Sequence, residues 1–343
     1  MQVNFYTLTF KKKILVAFIL ILFNLVMIDI ALYFIAQFKS TKTTFINDKF
    51  SKIRHFELNN PKNKDIIFIG SSRTFYQIST SIFKNRGMDV YNFGISGAQY
   101  EDYPTIIEPI NKVKPKQVII SLSVNRFYDK LNISKYPTLK EISYYFDVDK
   151  IKFLDSLKQW LINRHLFLQY SEPIYYKLKS LYSKFDIHTK EVNSTEIEEK
   201  PLIIRSYSYY SKLVGCNVFD IKQTSNTQIT LKCSNGDGVL IGSNPDIKNN
   251  GTKKLTTFDT EVIEYIDKII HNIDKNIKVI LILEPVFHNP YLYNIQRIEK
   301  IFKGIKIIDL TNFHVEDDYW SDEGHLNYKG REKYSKYLYD ILK

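Results

Sequence analysis

The sequence contains little cysteine, glycine and histidine, and this scarcity excludes several kinds of site. Its two cysteines, Cys216 and Cys233, are too few for a thiolate-rich metal centre. Its 7 histidines form no cluster with metal-ligand spacing, and its 12 glycines form no phosphate-binding loop of the P-loop type. We therefore expect no metal, nucleotide or other cofactor in the mechanism.

Long hydrophobic runs are equally scarce, because only residues 14–36 approach the thickness of a bilayer. As a helix this run would be about 34 Å long, enough to cross the hydrocarbon core. Lys11, Lys12 and Lys13 precede it, and positive residues prefer the cytoplasmic side, so we expect the N-terminus inside. No small-x-small cleavage site follows, which favours an uncleaved anchor over a signal peptide.

The predicted organisation is that of a single-pass membrane protein with one large domain outside the cytoplasm. The segments are a cytoplasmic tail (1–13), a transmembrane anchor (14–36), a polar, lysine-rich stalk (37–63) and a soluble domain (64–343).

The formal net charge of +11 allows three interpretations. Nucleic-acid binding is disfavoured, because the lysines are spread along the chain and no recognised motif accompanies them. Attraction to anionic membranes or acidic cell-surface polymers is the second interpretation. A solvated lysine surface without a specific partner is the third.

Five short apolar runs predict buried strands, at 65–70, 88–93, 117–122, 278–285 and 306–311. Helical patterns fall between and after them, at 101–113, 259–275, 291–303 and 328–342. Strands that alternate with helices predict a parallel sheet covered on both faces. We therefore expect an α/β fold of flavodoxin-like type, with three layers and about five parallel strands. In such sheets the working site lies at the carboxyl ends of the strands.

Residues 126–258 interrupt this alternation, and we expect them to form an inserted cap near the site. Their pattern is helical and aromatic over 150–185, polar over 186–200 and strand-like over 213–242, with a turn at Asn235-Gly236-Asp237-Gly238. Outside the cytoplasm Cys216 and Cys233 are expected to be bonded to each other. That bond would close a loop of about 17 residues and add roughly 3 kcal/mol of stability.

Four local motifs carry side chains suited to acyl-transfer chemistry. In order they are IFIGSSRT, with Gly70, Ser71 and Ser72; NFGISGAQ, with Gly94 and Gly97; SLSVNRF, with Asn125; and SDEGHLNYKG, with Asp322 and His325. A serine at a strand-to-helix turn is exposed, and a histidine can take its proton. An aspartate three residues before the histidine can hold the imidazole in one tautomer. Backbone N–H groups and an amide can then stabilise an oxyanion.

This pattern resembles the SGNH (GDSL-like) hydrolase superfamily, whose four blocks supply Ser, Gly, Asn and a DxxH pair. The resemblance covers 65–125 and 278–343. It implies a triad of Ser72, His325 and Asp322. It also implies an oxyanion hole formed by Ser72, Gly97 and Asn125.

The motifs depart from the family pattern at two blocks. The usual GDS is GSS here, and the usual GxND is SVNR, so the glycine and the aspartate around Asn125 are absent. The GSS variant looks like membrane-anchored branches of the family, such as the alginate O-acetylation and teichoic-acid D-alanylation proteins. Those branches act with acyl-transfer systems on cell-envelope polymers.

Four further side chains are candidates for the same site. Ser71 is an alternative nucleophile to Ser72 and a candidate substrate contact. Arg73 can bind an anionic substrate group or only cap the site. His288 and Glu284 lie at the end of the fourth predicted strand. There His288 can line the cleft or be an ordinary loop histidine, and Glu284 can line the cleft or be a polar strand end.

The resemblance implies a serine acyl-ester enzyme on a bacterial cytoplasmic membrane, with its catalytic domain periplasmic or extracellular. The expected reaction is O-acetyl transfer to a cell-envelope polysaccharide, with a membrane-bound O-acyltransferase as the partner that supplies the acyl group. The alternatives are a carbohydrate acetylesterase, a catalytically silent scaffold of an envelope assembly complex, and a membrane-tethered binder of anionic polymers. No nucleic-acid partner is expected.

Overall fold

The computed structural model describes residues 10–37, 48–59, 64–163, 204–243 and 251–343. The chain divides into two compact units, Met1–Ser40 with Lys158–Asn193, and Thr41–Leu157 with Ser194–Lys343. The predicted anchor falls in helix α1 (Phe10–Gln37) of the first unit. No helix in the described part of the chain combines the length and the apolar character that crossing a bilayer requires. The anchor over 14–36 stays a prediction.

The second unit contains the elements that position the candidate site. The strands are β1 (Ile66–Gly70), β2 (Val90–Gly94), β3 (Gln117–Leu122), β4 (Val218–Gln223), β5 (Ile229–Cys233), β6 (Gly238–Ile241), β7 (Lys253–Lys254), β8 (Lys278–Leu283), β9 (Tyr291–Leu292) and β10 (Lys306–Asp309). The helices after α1 are α2 (Lys49–Leu58), α3 (Ser72–Gln77), α4 (Thr80–Asn85), α5 (Tyr103–Val113), α6 (Leu139–Val148), α7 (Lys150–Asn163), α8 (Tyr207–Val214), α9 (Thr260–His271), α10 (Ile295–Ile301) and α11 (Tyr328–Leu342). Helix α7 runs across the boundary between the two units.

The main sheet has five parallel strands in the order β10-β8-β3-β1-β2. Each strand overlaps one of the five predicted runs, so the predicted parallel sheet is confirmed. The order is that of a doubly wound sheet, in which the chain reverses direction across the sheet between β1 and β3. Ligands of such sheets bind in the crevice at the carboxyl ends of the two strands where the reversal occurs. The segments that follow β1 and β3 lie next to each other at this crevice.

Helices cover both faces of this sheet, because successive side chains of a strand point to opposite faces. Ile67 and Ile69 of β1 belong to the core formed with α5, α6 and α9. Ile66 and Phe68 belong to the opposite core, formed with α4 and α11. Burial on both faces explains why the strands are continuous apolar runs rather than alternating ones.

The insertion contains a second, antiparallel sheet of strands β4, β5 and β6. The predicted turn at residues 235–238 joins β5 to β6, and the predicted disulfide between Cys216 and Cys233 is present, with Cα atoms 5.8 Å apart. The predicted helical stretch 150–185 is helical as far as Asn163. Its remainder and the predicted polar loop 186–200 lie outside the described residues.

The predicted stalk is replaced over part of its length by the folded helix α2, which packs against the domain. Phe56 is fully buried in the core beneath the sheet. Lys49 is buried too, and its Nζ lies 2.9 Å from Asp102 Oδ1 and 2.8 Å from Glu141 Oε1. The polar composition of this segment predicts that it is exposed. Lys49 is buried instead, because Asp102 and Glu141, which lie far along the chain, satisfy its charge inside the protein.

Candidate active site

Three of the predicted residues lie in hydrogen-bonding succession at the carboxyl end of the sheet. Ser72 Oγ lies 2.8 Å from His325 Nε2. His325 Nδ1 lies 2.8 Å from Asp322 Oδ1 and 2.9 Å from Oδ2. A serine, an imidazole and a carboxylate in this order form the geometry of a nucleophile, its base and the group that orients the base.

The turn that carries Ser72 depends on glycines that leave room for helix α3. A Cβ on Gly70 would lie 1.8 Å from Thr74 Oγ1, and a Cβ on Gly94 would lie 2.2 Å from the backbone nitrogen of Phe75. Either atom would collide with α3. The two glycines at the strand ends therefore allow α3 to start directly above the sheet, with Ser72 as its first residue.

Buried Asn92, which the sequence analysis did not single out, holds the other end of α3. Its Nδ2 donates to the carbonyl oxygens of Thr74, Phe75 and Ile78 at 3.1–3.3 Å. Its Oδ1 accepts the Gly94 N–H at 2.9 Å. These bonds add to those that the Thr74 and Ile78 carbonyls already accept, from the Ile78 N–H and from Arg331 Nε. Its place in the NFGISG motif was the only sequence signal for this role.

Ser71 caps α3 and does not contact the histidine. Its Oγ accepts the backbone N–H of Arg73 at 3.3 Å, as expected of a helix N-cap serine. The His325 ring bonds to the neighbouring hydroxyl of Ser72 instead. Of the two serines left open by the sequence, the geometry therefore favours Ser72 as nucleophile.

A tight turn brings Asp322 and His325 together. The backbone N–H of Ser321 donates to the His325 carbonyl at 2.8 Å, and the N–H of Gly324 donates to Asp322 Oδ1 at 2.8 Å. Gln77 of α3 donates to the Gly324 carbonyl at 3.0 Å, which joins the histidine turn to the serine helix. The three-residue spacing of the DxxH pair is thus the spacing of one closed turn.

Asp322 is held in its charged form. Burial raises the pKa of its carboxyl. The hydrogen bond and charge of His325, together with the backbone N–H groups of Gly324 and His325, lower the pKa by more than burial raises it. The net pKa therefore lies below the ordinary aspartate value. A carboxylate in this position accepts the Nδ1 proton and leaves Nε2 to face the serine. Tyr76 packs its ring edge-on against the imidazole, with centroids 5.6 Å apart.

Ser72 and His325 open into a cavity of about 1090 Å³ at the end of the sheet. The other residues of the predicted site that line it are Ser71, Arg73, Gly97, Asn125, Glu284 and Asp322. His288 lies elsewhere, because its ring pairs with Asp317 at 3.2 Å in a separate pocket of about 270 Å³. Of the two interpretations left open for His288, its place outside this cavity favours an ordinary loop histidine.

Two of the three predicted oxyanion donors carry backbone N–H groups without an acceptor among the described residues, namely Ser72 and Gly97. Gly97 has a φ of +79°, a conformation that favours glycine. Asn125 is differently placed, since its Nδ2 donates to Asp129 Oδ2 at 3.0 Å and its Oδ1 accepts from Ser123. Because a primary amide has two N–H groups, Asp129 occupies one of them.

Glu284 forms part of the buried floor of the cavity, with an exposed fraction of 2%. Its Oε1 accepts the hydroxyl proton of Thr74 at 3.0 Å. Burial raises the pKa of its carboxyl, an effect that Arg73 and Thr74 only partly oppose. Glu284 thus faces the cleft, as its position at the end of the fourth predicted strand allowed.

The described part of the insertion supports the histidine turn, and of its residues Arg126, Gly251 and Lys253 line the cavity. Gln228 Nε2 donates to Ser321 Oγ at 2.8 Å, and Ser321 Oγ donates to the Gly242 carbonyl at 3.0 Å. Among residues 204–243, none lines the cavity at Ser72. Residues 204–243 therefore contact the histidine turn and do not form the expected cap over the cavity.

The chain matches no protein-family model and no curated protein.

Proposed function

We propose that the protein is an extracytoplasmic serine acyl-ester enzyme of the SGNH type, which transfers an acetyl group to a cell-envelope glycan. The observation that carries the proposal is the 2.8 Å contact of Ser72 Oγ with His325 Nε2, backed by Asp322. The four motifs of the resemblance support the family. The envelope glycan, the O-acyltransferase partner and the membrane anchor over 14–36 are supported by the sequence alone.

The reaction follows from the positions of these groups. His325 Nε2 takes the proton of Ser72 Oγ as the oxygen attacks the ester carbonyl carbon. Negative charge develops on the carbonyl oxygen, where the N–H groups of Ser72 and Gly97 and the second N–H of Asn125 can stabilise it. The C–O bond to the leaving alcohol breaks, and His325 returns the proton to that alcohol. Ser72 is then acylated.

The second half-reaction repeats these steps with a new nucleophile. His325 removes a proton from a glycan hydroxyl, which attacks the acyl carbon and releases Ser72 with its proton. If water attacks instead, the enzyme is a carbohydrate acetylesterase. The two outcomes differ in the acceptor and not in the triad.

Labelling with a fluorophosphonate tests the proposal, because only an activated serine reacts with this probe. We expect the wild-type chain to be labelled at Ser72, and Ser72→Ala and His325→Ala to lose the label. The matched control is Ser71→Ala, which removes the neighbouring hydroxyl and should still be labelled. An unlabelled wild-type chain of native fold would identify a catalytically silent scaffold. Incubation with 4-nitrophenyl acetate and added glycan then separates transfer from hydrolysis, because transfer leaves the acetyl group on the glycan and hydrolysis releases it as acetate.

A further inference from the structure

Arg73 directly follows the nucleophile in the chain and lines the same cavity. Its Nη1 donates to Ser123 Oγ at 2.8 Å, just beyond the end of β3. A Cβ placed on Gly324 would lie 3.1 Å from Arg73 Nε and 3.2 Å from Nη2. The guanidinium is therefore held between the end of β3 and the turn of Asp322 and His325, and the lack of a side chain at Gly324 leaves space for it.

No carboxylate of the described residues forms a salt bridge with Arg73. Glu284 interacts with it electrostatically, but the contact of that carboxyl is with Thr74. Burial also favours the neutral form of Glu284. The other arginine of the cavity, Arg126, does have such a partner, since its Nη1 lies 3.7 Å from Asp129 Oδ2. Arg73 thus brings a positive charge to the cleft. The Ser123 hydroxyl accepts only one of its N–H groups, so several donors remain for a ligand.

We infer that Arg73 binds an anionic group of the substrate, a carboxylate or a phosphate, close to the ester that Ser72 attacks. This inference rests on the proposed function and narrows its substrate to acidic polymers. A guanidinium binds carboxylate or phosphate oxygens through two parallel N–H bonds, and neutral sugars lack a matching group. The site therefore selects uronate- or phosphate-bearing glycans over neutral ones.

Isothermal calorimetry with the full-length protein tests this selection. The probes are oligogalacturonate for carboxylate, a glycerol-phosphate oligomer for phosphate, and xylo-oligosaccharide as the neutral match. We expect the wild-type chain to bind at least one acidic oligomer and to bind the neutral one far more weakly. Arg73→Gln should weaken acidic binding by roughly 10- to 100-fold, the value of a lost charged hydrogen bond. Arg73→Lys, which keeps the charge but loses the planar donors, should recover only part of the affinity.

Arg126→Gln is the matched control, because it removes the same charge from the same cavity. We expect a smaller loss from it, since Arg126 already faces Asp129. Equal losses in the two variants would overturn a specific contact by Arg73, and so would equal affinity for acidic and neutral oligomers. Fluorophosphonate labelling of the same samples separates this result from the proposed chemistry. Binding that depends on Arg73 without labelling of Ser72 would keep the anion site and reject the serine mechanism.

Discussion

Asp322 accepts hydrogen bonds from two groups of the histidine turn, and one substitution can disturb the first bond while keeping the second. Its carboxylate accepts both the His325 Nδ1 proton and the Gly324 N–H. Asp322→Asn keeps the size and can still accept from Gly324, but its amide can hold the imidazole in the wrong tautomer. We expect turnover of 4-nitrophenyl acetate to fall by roughly 10²- to 10⁴-fold in a variant that keeps the native fold. The control is Asp318→Asn. Asp318 forms an exposed ion pair with Lys329, so this variant should keep full activity.

The pH dependence of stability follows from the same carboxylate. Because the pKa of folded Asp322 lies below its ordinary value, its contribution to stability is complete above the ordinary aspartate pKa of about 3.9. It is lost as the pH falls through the lower, folded pKa. The melting temperatures of the wild-type chain and Asp322→Asn should therefore converge below about pH 3.9. A gap that widens on acidification would contradict this assignment of charge.

Individual residues of the site could be chosen from the sequence because each lies at the end of a recognisable strand or before the last helix. Ser72, Asp322 and His325 were chosen in this way, and they meet in space. His288 also follows a strand, yet it turns away, with a φ of 45° and a partner in Asp317. Sequence position gives the edge of the sheet but not the direction in which a loop side chain points.

At the scale of elements, helix α3 and the two strand ends beneath it form the unit that positions Ser72 beside His325. Gly94→Ala tests this packing, because its Cβ would lie 2.2 Å from the Phe75 nitrogen and 2.6 Å from its Cα. Since backbone atoms cannot be displaced cheaply, we expect a loss of about 1–3 kcal/mol in the free energy of unfolding. Ser72 should also move away from His325, with reduced labelling.

Gly251→Ala is the control for this change. Nothing lies within 4 Å of the added Cβ at Gly251, so stability should not fall. Urea unfolding monitored by circular dichroism measures both variants. Equal stability of Gly94→Ala and the wild-type chain would show that α3 can shift without cost.

The strands of the main sheet were predicted well because burial on both faces leaves continuous apolar runs in the sequence. Helix α2 was missed for the opposite reason. Lys49, Lys52 and His55 read as solvent-facing, yet all three are buried against partners that lie far along the chain. Long-range pairing of polar groups leaves no local periodicity, so this element could not be separated from a stalk.

At the scale of the whole molecule, a buried ion pair joins the insertion to the last helix. Arg331 Nη2 lies 2.6 Å from Asp237 Oδ2, and both side chains are almost completely buried. Arg331→Met would remove the cation that bonds directly to this carboxylate, and we expect about 3–5 kcal/mol of destabilisation in urea unfolding.

Two further variants keep that prediction open to contradiction. Arg331→Lys keeps a cation beside Asp237 and should lose less stability than Arg331→Met, because the carboxylate then keeps a charged partner. Arg86→Met breaks an exposed pair with Asp340 and should change stability by less than about 0.5 kcal/mol. A small loss in Arg331→Met alone would mean that the insertion does not depend on this pair.

The separation of Ser72 and His325 along the polypeptide also bears on when the proposed activity would first arise. Ser72 and His325 are 253 positions apart, on opposite sides of the insertion. A ribosome therefore delivers the hydroxyl many seconds before the imidazole, at ordinary rates of elongation. Under the proposed mechanism the nascent chain holds a serine with no base throughout that interval, and prematurely terminated products that lack His325 would be inert toward esters.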